Sequence, residues 1–218
     1  AGALDGVQPE RAAGDRDADG VRVGGRQAGR EPGHPRRRLG LAVHHDQLPA
    51  LGLTLRERIE TGDAASFGGD ASRLYVSGHS SGGHLAGVVT ITDWKAMGLP
   101  ADTVKGYVLV SGMYDLRGPR LSKRSAYVKF TDEVEDALSA QRHLDRINAP
   151  IALVYGTLET PEFQRQNREF AAAVKAAGKP VTFLVGQGYN HFEMFETLGN
   201  PYGLLGRAML ELMGLGQG

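Results

Sequence analysis

Three residues whose types could act together in acyl transfer occur in this chain, Ser80, Glu159 and His191. A serine hydroxyl is a poor nucleophile until a base removes its proton. A histidine, with an unperturbed pKa of about 6.5, can take that proton and return it. A carboxylate beside the histidine fixes its tautomer and stabilises its charged form. The three residues are therefore a candidate nucleophile, acid and base.

Ser80 lies in the segment Gly78-His79-Ser80-Ser81-Gly82, which has the Gly-x-Ser-x-Gly spacing of a nucleophile elbow. The apolar run LYVS precedes it and a helix-like run follows it, so the pattern predicts a strand, a sharp turn at Ser80 and a helix. We expect only small residues to fit at Gly78 and Gly82, because the backbone passes close to itself at such a turn. The backbone N–H of Ser81, at the start of the helix, is the expected first oxyanion donor.

The predicted acid and base each follow an apolar run. Glu159 stands in GTLE after the third run, and His191 stands in GYNHF after the fourth. Asp115, in SGMYD, also follows a run and is an alternative acid, and its other expected role is a cap or a loop hydrogen bond. His79 and His84 flank the nucleophile, but neither is well aimed as a base, so we expect them to be packing or pocket-lining groups.

The hydrophobic pattern predicts an α/β fold. Continuous apolar runs are typical of strands buried on both faces, which favours a mostly parallel sheet flanked by helices. Helical spacing of apolar residues predicts further helices at 161–177, with Pro161 at its start, and at 202–213. The predicted strands are Leu74–Ser77, Tyr107–Val110, Ile151–Tyr155 and Val181–Val185.

The composition of the chain changes near residue 52. From Arg11 to Gly40, 24 of 30 residues are Arg, Gly, Ala, Asp or Pro, and the first Phe, Trp or Tyr is Phe67. Such a segment cannot bury enough apolar surface to offset its ordering entropy. We therefore predict an atypical, poorly ordered segment at residues 1–52 and a catalytic α/β domain at residues 53–218, with the N-terminal strands missing or atypical.

Charge and composition limit the partners. The 218 residues suit one domain, and the 25 basic and 25 acidic side chains balance, so no global field favours nucleic acid or an anionic membrane. The chain has no cysteine, and no apolar run long enough to span a membrane or to form the core of a signal peptide. We expect a cytoplasmic protein acting on a small molecule, and the oligomeric state stays open.

Two polar clusters upstream could suggest other functions. The basic cluster Pro35–Arg38 has no interleaved aromatic residues, so it reads as a solvated charge run rather than a nucleic-acid site. His44, His45 and Asp46 could suggest a metal site, but adjacent histidines point in different directions and no further ligand is placed by spacing. We therefore predict neither a metal nor a cofactor.

Four segments together resemble the α/β-hydrolase superfamily, near its arylformamidase (kynurenine formamidase) and carboxylesterase branch. They are GHSSGGH from Gly78, SGMYDL from Ser111, GTLETPEFQRQ from Gly156 and GYNHFE from Gly188. The resemblance covers roughly residues 53–213. It implies an α/β-hydrolase fold and the triad Ser80, Glu159 and His191, with glutamate where relatives commonly carry aspartate. It also implies hydrolysis of small carboxylic esters or aryl formamides through an acyl-enzyme.

The resemblance is incomplete upstream of the elbow. Relatives carry a His-Gly-Gly loop that completes the oxyanion hole, and this sequence holds no such tripeptide, while Gly24-Gly25 has no strand-like run before it. Ester hydrolysis is the first expectation, because an activated carbonyl needs less help from an incomplete oxyanion hole. The alternatives are an arylformamidase acting on N-formylkynurenine and a catalytically weak or inert hydrolase-fold fragment.

Overall fold

The computed structural model describes residues 40–41, 63–66 and 68–216. Apart from Gly40–Leu41, the predicted N-terminal segment therefore lies outside the described residues. The same holds for the basic cluster Pro35–Arg38, the group His44-His45-Asp46 and the pair Gly24-Gly25.

The sheet of the described part has five parallel strands, whose spatial order follows their order in the chain. All four predicted runs are confirmed as strands, and each extends one to three residues beyond its prediction. Because the strands are parallel, their carboxyl ends meet at one edge of the sheet. The strands are β1 (Gly40–Leu41), β2 (Leu74–His79), β3 (Val104–Val110), β4 (Ile151–Gly156) and β5 (Val181–Gly186).

Helices connect the strands and follow the last of them, and the helices predicted at 161–177 and 202–213 are confirmed. The α-helices are α1 (Asp63–Ser66), α2 (Ser81–Thr90), α3 (Arg117–Arg120), α4 (Asp132–Ala137), α5 (Pro161–Ala176), α6 (His191–Glu196) and α7 (Leu204–Leu212). Short 3₁₀ segments lie at Ala71–Arg73, Lys123–Ala126, Ala140–Arg142, Leu144–Arg146 and Thr197–Gly199. Within the described ranges, none of the helices is both long and apolar enough to cross a membrane.

Each face of the sheet has its own apolar core. Successive side chains of a strand point to opposite faces, so Tyr107 and Leu109 of β3 pack with α2 and α5, whereas Val108 and Val110 pack with α7. Helix α2 is buried almost throughout, from Gly83 to Thr90. The central strands are therefore covered on both faces, as continuous apolar runs require.

Strand β5 departs from the expectation of burial on both faces. Thr182 and Phe183, in its middle, are exposed, and Phe183 retains 38% of its surface. The physical reason is position, because β5 is the last strand of the described sheet and has a neighbouring strand, β4, on one side only. The sequence pattern reports apolar content, but it does not distinguish an edge strand from a central one.

The turn after β2 forces a close approach of two backbone segments. A Cβ atom added at Gly78 would lie 2.0 Å from the carbonyl oxygen of Gly82, so this position requires glycine, as predicted. The expectation for Gly82 itself is wrong, because a Cβ there would meet no atom within 4 Å. The second close approach is one residue later, where a Cβ at Gly83 would lie 2.5 Å from the carbonyl oxygen of Val110.

These two neighbouring glycines form a matched pair for mutation. We expect Gly83→Ala to lower the free energy of unfolding by about 1–3 kcal/mol, because overpacking against the backbone of β3 must be relieved by strain. We expect Gly82→Ala to leave it unchanged or to raise it by up to about 1 kcal/mol, because alanine is the better helix former. Urea unfolding of both variants measures the difference, and equal losses would contradict the assignment.

Candidate active site

Ser80 and His191 lie within hydrogen-bonding distance, although 111 positions separate them in the chain. The Oγ atom of Ser80 is 2.9 Å from the Nε2 atom of His191. Ser80 is the N-cap residue of α2, a position where serine ordinarily uses its hydroxyl to cap the helix. Here the side chain makes no capping hydrogen bond. Its hydroxyl is therefore available to exchange a proton with the imidazole.

The backbone at Ser80 has the conformation of a strained turn. Its φ is 58° and its ψ is −116°, a region that residues with a side chain rarely adopt. The N–H of Ser80 donates to the carbonyl oxygen of Val110 at 2.9 Å, which ties the turn to the end of β3. The conformation places Ser80 between the end of β2 and the start of α2.

His191 also contacts Glu159. The Nδ1 atom of His191 is 3.1 Å from Oε2 of Glu159. A carboxylate can only accept, so Nδ1 carries the proton, and Nε2 is left as the acceptor for the hydroxyl of Ser80. This tautomer is the one that a general base acting on Ser80 needs.

The carboxylate of Glu159 is fully buried, with 0% of its side chain exposed. An unpaired charge at such a depth is costly unless several donors surround it. Besides His191, the backbone N–H of Gly156 donates to Oε1 at 2.9 Å and the hydroxyl of Ser111 donates to the same oxygen at 2.5 Å. The three donors come from the ends of β3 and β4 and from the loop after β5.

A capping box fixes the start of the helix that carries His191. The side chain of Asn190 accepts from the N–H groups of Phe192 and Glu193, and the Glu193 side chain accepts from the N–H of Asn190 at 3.0 Å. Asparagine followed three residues later by glutamate is a signal of a helix start that can be read from sequence. His191 is thereby held at the first position of α6.

The loops that carry the acid and the base are bonded to each other. The N–H of Gly188 donates to Oγ1 of Thr157 at 2.8 Å, and the N–H of Leu158 donates to the carbonyl oxygen of Tyr189 at 3.0 Å. The side-chain amide of Gln164, on α5, donates to the carbonyl oxygen of Glu159 at 2.8 Å. The relative position of Glu159 and His191 therefore rests on a hydrogen-bonded pair of loops.

The alternative acid lies against other partners. The Oδ1 atom of Asp115 accepts from the backbone N–H of Arg117 and from the guanidinium of Arg142, both at 2.9 Å. These are the loop and capping contacts expected as its other role. His84 is buried, and its Nε2 atom lies 2.9 Å from the carbonyl oxygen of Leu138. The structure therefore brings Ser80, Glu159 and His191 together and places Asp115 and His84 in other contacts.

Ser81 lies at the first position of α2, directly after Ser80. N–H groups in the first turn of a helix have no acceptor within the helix, and the helix dipole places partial positive charge there. An oxyanion formed next to Oγ of Ser80 could accept a hydrogen bond from this N–H. The role of Ser81 as an oxyanion donor stays a prediction.

Aromatic and apolar side chains surround His191. The ring centroids of Phe163 and His79 each lie 4.5 Å from that of His191, and Phe192 meets it edge-on at 5.6 Å. Phe192 is also 78% exposed. An exposed aromatic ring beside a polar centre can contact a ligand.

Sequence reasoning missed two polar contacts of this site. His79 was expected only to pack or to line a pocket, yet its Nε2 atom lies 2.7 Å from the carbonyl oxygen of His191. Ser111 had no assigned role, although it opens the SGMYDL segment that carried part of the resemblance. In the described part of the chain, no three acidic or histidine side chains come together in an arrangement that could hold a metal ion.

The chain belongs to the α/β-hydrolase fold family, because the sequence profile of that family matches residues 42–195. This match confirms the family resemblance and the fold class predicted from the sequence. The matched region begins before the predicted domain boundary at residue 53 and contains the elbow, the acid and the histidine.

Two kynurenine formamidases are similar to this chain. The protein from Danio rerio is 33% identical over 148 residues, which cover 66% of this chain and 50% of that protein. The protein from Salmo salar is 33% identical over 153 residues, again covering 66% of this chain and 50% of its own length. The chain thus spans about half the length of these relatives.

Solved structures of hydrolases share the fold. A truncated carbohydrate esterase from gut microbiota has a TM-score of 0.58 at 18% identity, covering 77% of this chain and 67% of that one. Esterase 2 of Thermogutta terrifontis has a TM-score of 0.53 at 22% identity, covering 76% and 61% of the two chains. At these identities the likeness establishes the fold alone.

Ser111 offers a test of how the buried carboxylate is held. Ser80 and Ser111 are the described non-glycine residues with positive φ, and the φ of Ser111 is 51°, a value that glycine adopts without strain. We expect Ser111→Gly to lower kcat of the proposed hydrolysis roughly 10-fold or more, because a carboxylate that has lost a donor no longer holds Nδ1–H of His191 in a fixed orientation, and small misplacements of a reacting group are costly. Its melting temperature should not fall below that of Ser111→Ala.

The alanine variant is the matched control for backbone strain. Ser111→Ala also lacks the hydroxyl but keeps a Cβ at positive φ, so it should lose the same fraction of kcat and melt at a lower temperature than the glycine variant. Steady-state kinetics and thermal melts measure the two effects. If kcat fell only in the variant with the lower melting temperature, and not in both variants that lack the hydroxyl, Ser111 would not hold the carboxylate of Glu159 through its hydrogen bond.

Proposed function

We propose that this chain is a serine hydrolase that cleaves small carboxylic esters through an acyl-enzyme, with Ser80 as nucleophile, His191 as general base and acid, and Glu159 as the residue that orients His191. The observation that carries the proposal is the continuous hydrogen-bonded series from Ser80 Oγ through both nitrogens of His191 to the buried carboxylate of Glu159. The strained turn at Ser80 supports it.

Acylation begins with transfer of the hydroxyl proton. As Oγ of Ser80 bonds to the carbonyl carbon of the substrate, its proton passes to Nε2 of His191, and the electron pair of the C=O bond moves to the oxygen. Glu159 stabilises the resulting imidazolium through Nδ1–H. The oxyanion accepts from the N–H of Ser81. When the intermediate collapses, the C=O bond re-forms, the bond from the carbonyl carbon to the leaving group breaks, and the leaving group takes the proton from Nε2. The acyl group stays on Oγ of Ser80.

Deacylation repeats the same steps with water. As the oxygen of the water bonds to the acyl carbon, His191 takes a proton from the water. The new oxyanion again faces the N–H of Ser81. Collapse breaks the bond to Oγ of Ser80, which recovers its proton from Nε2. The products are a carboxylic acid and the free hydroxyl of Ser80. The residues named supply nucleophile, base and orienting charge.

Aryl formamides such as N-formylkynurenine are the second candidate class of substrate. Two observations favour them, the similarity to two kynurenine formamidases and the aromatic groups around His191, among them Phe163 and Phe192. A planar aryl leaving group would pack against such rings. The formyl group would then be carried by Ser80 and released as formate.

Removal of the nucleophile tests the proposal directly. We expect Ser80→Ala to abolish hydrolysis of p-nitrophenyl acetate and labelling by a fluorophosphonate probe, because, among the described side chains, the hydroxyl that contacts Nε2 of His191 is that of Ser80. The melting temperature should stay close to that of the unmodified chain, since the hydroxyl of Ser80 caps no helix. Labelling that persists in the variant would exclude Ser80 as the nucleophile.

The substrate class is decided by a comparison on the unmodified chain. Turnover of p-nitrophenyl acetate is measured beside that of N-formylkynurenine, with Ser80→Ala as the blank for each. A higher kcat/KM for the formamide would favour the second class. A chain that is folded but neither labels nor turns over either substrate would be the inert hydrolase-fold fragment, and the proposal would fail.

The two carboxylates are separated by isosteric substitution. We expect Glu159→Gln to lower kcat by about 10⁴-fold, because an amide can hold the imidazole in the wrong tautomer and cannot balance its charge. Asp115→Asn should cost far less, because Asp115 contacts Arg142 and Arg117 rather than His191. Kinetics of both variants with one ester give the ranking, and the reverse order would transfer the role of acid to Asp115.

A further inference from the structure

His79 contacts the proposed base through the backbone. Its Nε2 atom lies 2.7 Å from the carbonyl oxygen of His191, 112 positions away in the chain. A carbonyl oxygen can only accept, so Nε2 of His79 carries a hydrogen and donates it. His79 directly precedes Ser80, so the end of β2 supplies both the nucleophile and a donor to the residue that activates it.

The ring of His79 packs against the same residue. The centroids of His79 and His191 lie 4.5 Å apart at an interplanar angle of 43°, and Phe195, one turn further along α6, lies 5.4 Å from His79 at 31°. His79, the last residue of β2, is half-buried against α6. One side chain therefore restrains both the backbone and the imidazole of His191.

The charge state of His79 matters at this distance. The titratable groups that face it are His191, on α6, and Glu159, on the loop after β4. Burial of the ring and the nearby imidazole of His191 hold the pKa of His79 below its usual range, although the hydrogen bond to the carbonyl oxygen of His191 and the charge of Glu159 act in the opposite direction. A neutral ring does not repel the imidazolium that the proposed reaction forms on His191.

We propose that His79 is a positioning residue for His191, whose Nε2–H and ring fix the backbone and side chain of His191 so that its Nε2 stays aligned on Ser80 Oγ. The inference rests on the proposed function, because it concerns the alignment of the base with the nucleophile. It gives the residue before the elbow serine a role in turnover.

The test uses three substitutions at position 79. His79→Leu keeps apolar volume but has no donor, and we expect kcat to fall about 10- to 100-fold with little change in KM, because small misplacements of a reacting group are costly. His79→Gln places an amide N–H near the position of Nε2 and should recover most of the loss. His79→Asn is polar but too short to reach the carbonyl oxygen, so it should behave like the leucine variant.

A matched control removes the same kind of bond elsewhere. Nε2 of His143 lies 2.8 Å from the carbonyl oxygen of Asp136, at the end of α4. His143→Leu should leave kcat close to that of the unmodified chain. Melting temperatures of all variants show whether each is folded, and the rate of fluorophosphonate labelling reports the alignment of Ser80 and His191 without a substrate.

The outcomes are distinct. The role of His79 would be overturned if the leucine, asparagine and glutamine variants had equal kcat, or if only KM changed. It would also be overturned if His79→Leu were no slower than the His143→Leu control. If His79→Leu does not fold, the asparagine and glutamine pair decides. Ser80→Ala is measured in parallel. Activity that survives in this variant would refute the proposed function itself. If Ser80→Ala is inactive but the position-79 variants keep the kcat of the unmodified chain, only the inference about His79 is refuted.

Discussion

The buried carboxylate of Glu159 is the constraint on which the site depends. A charge with no solvent contact is stable only when donors surround it. The donors are the N–H of Gly156, the hydroxyl of Ser111 and Nδ1–H of His191. They come from three different connections, so satisfying one carboxylate requires the ends of β3 and β4 and the loop after β5 to converge. A parallel sheet with all its carboxyl ends at one edge provides that convergence.

Two strained residues lie beside this network, at the ends of neighbouring strands. Ser80 follows β2 and Ser111 follows β3, both with positive φ, a conformation that costs about 1–3 kcal/mol per residue. The strain is tolerated because rigid structure holds both positions. Helix α2 is buried almost throughout, and Gly83 lets it approach the carbonyl of Val110 closely. The same packing holds the hydroxyls of Ser80 and Ser111 in place.

The other charges of the neighbourhood are compensated among themselves. Glu135 lies between the guanidinium groups of Arg142 and Arg120, which hold the pKa of its carboxyl below the usual range. Arg142 also binds Asp115, so the alternative acid is neutralised by a residue of the long connection between β3 and β4. Among the described carboxylates, the one that contacts His191 is that of Glu159. The imidazole thus has one anionic partner, and the neutral ring of His79 lies beside it.

The sequence by itself determined the strands, the elbow and the chain order of serine, acid and histidine, because apolar runs, glycine spacing and helix-start signals are local. It favoured Glu159 over Asp115 as the acid without excluding the latter, predicted a close approach at Gly82 where the structure has one at Gly83, and assigned Ser111 and His79 no polar contact with the site. All of these points depend on contacts between residues that are distant in the chain. Glu159 and His191 are 32 positions apart, Ser111 and Glu159 are 48 apart, and His79 and His191 are 112 apart. Strand register and helix packing decide which distant side chains meet, and no local pattern encodes them, so only the tertiary structure could place them.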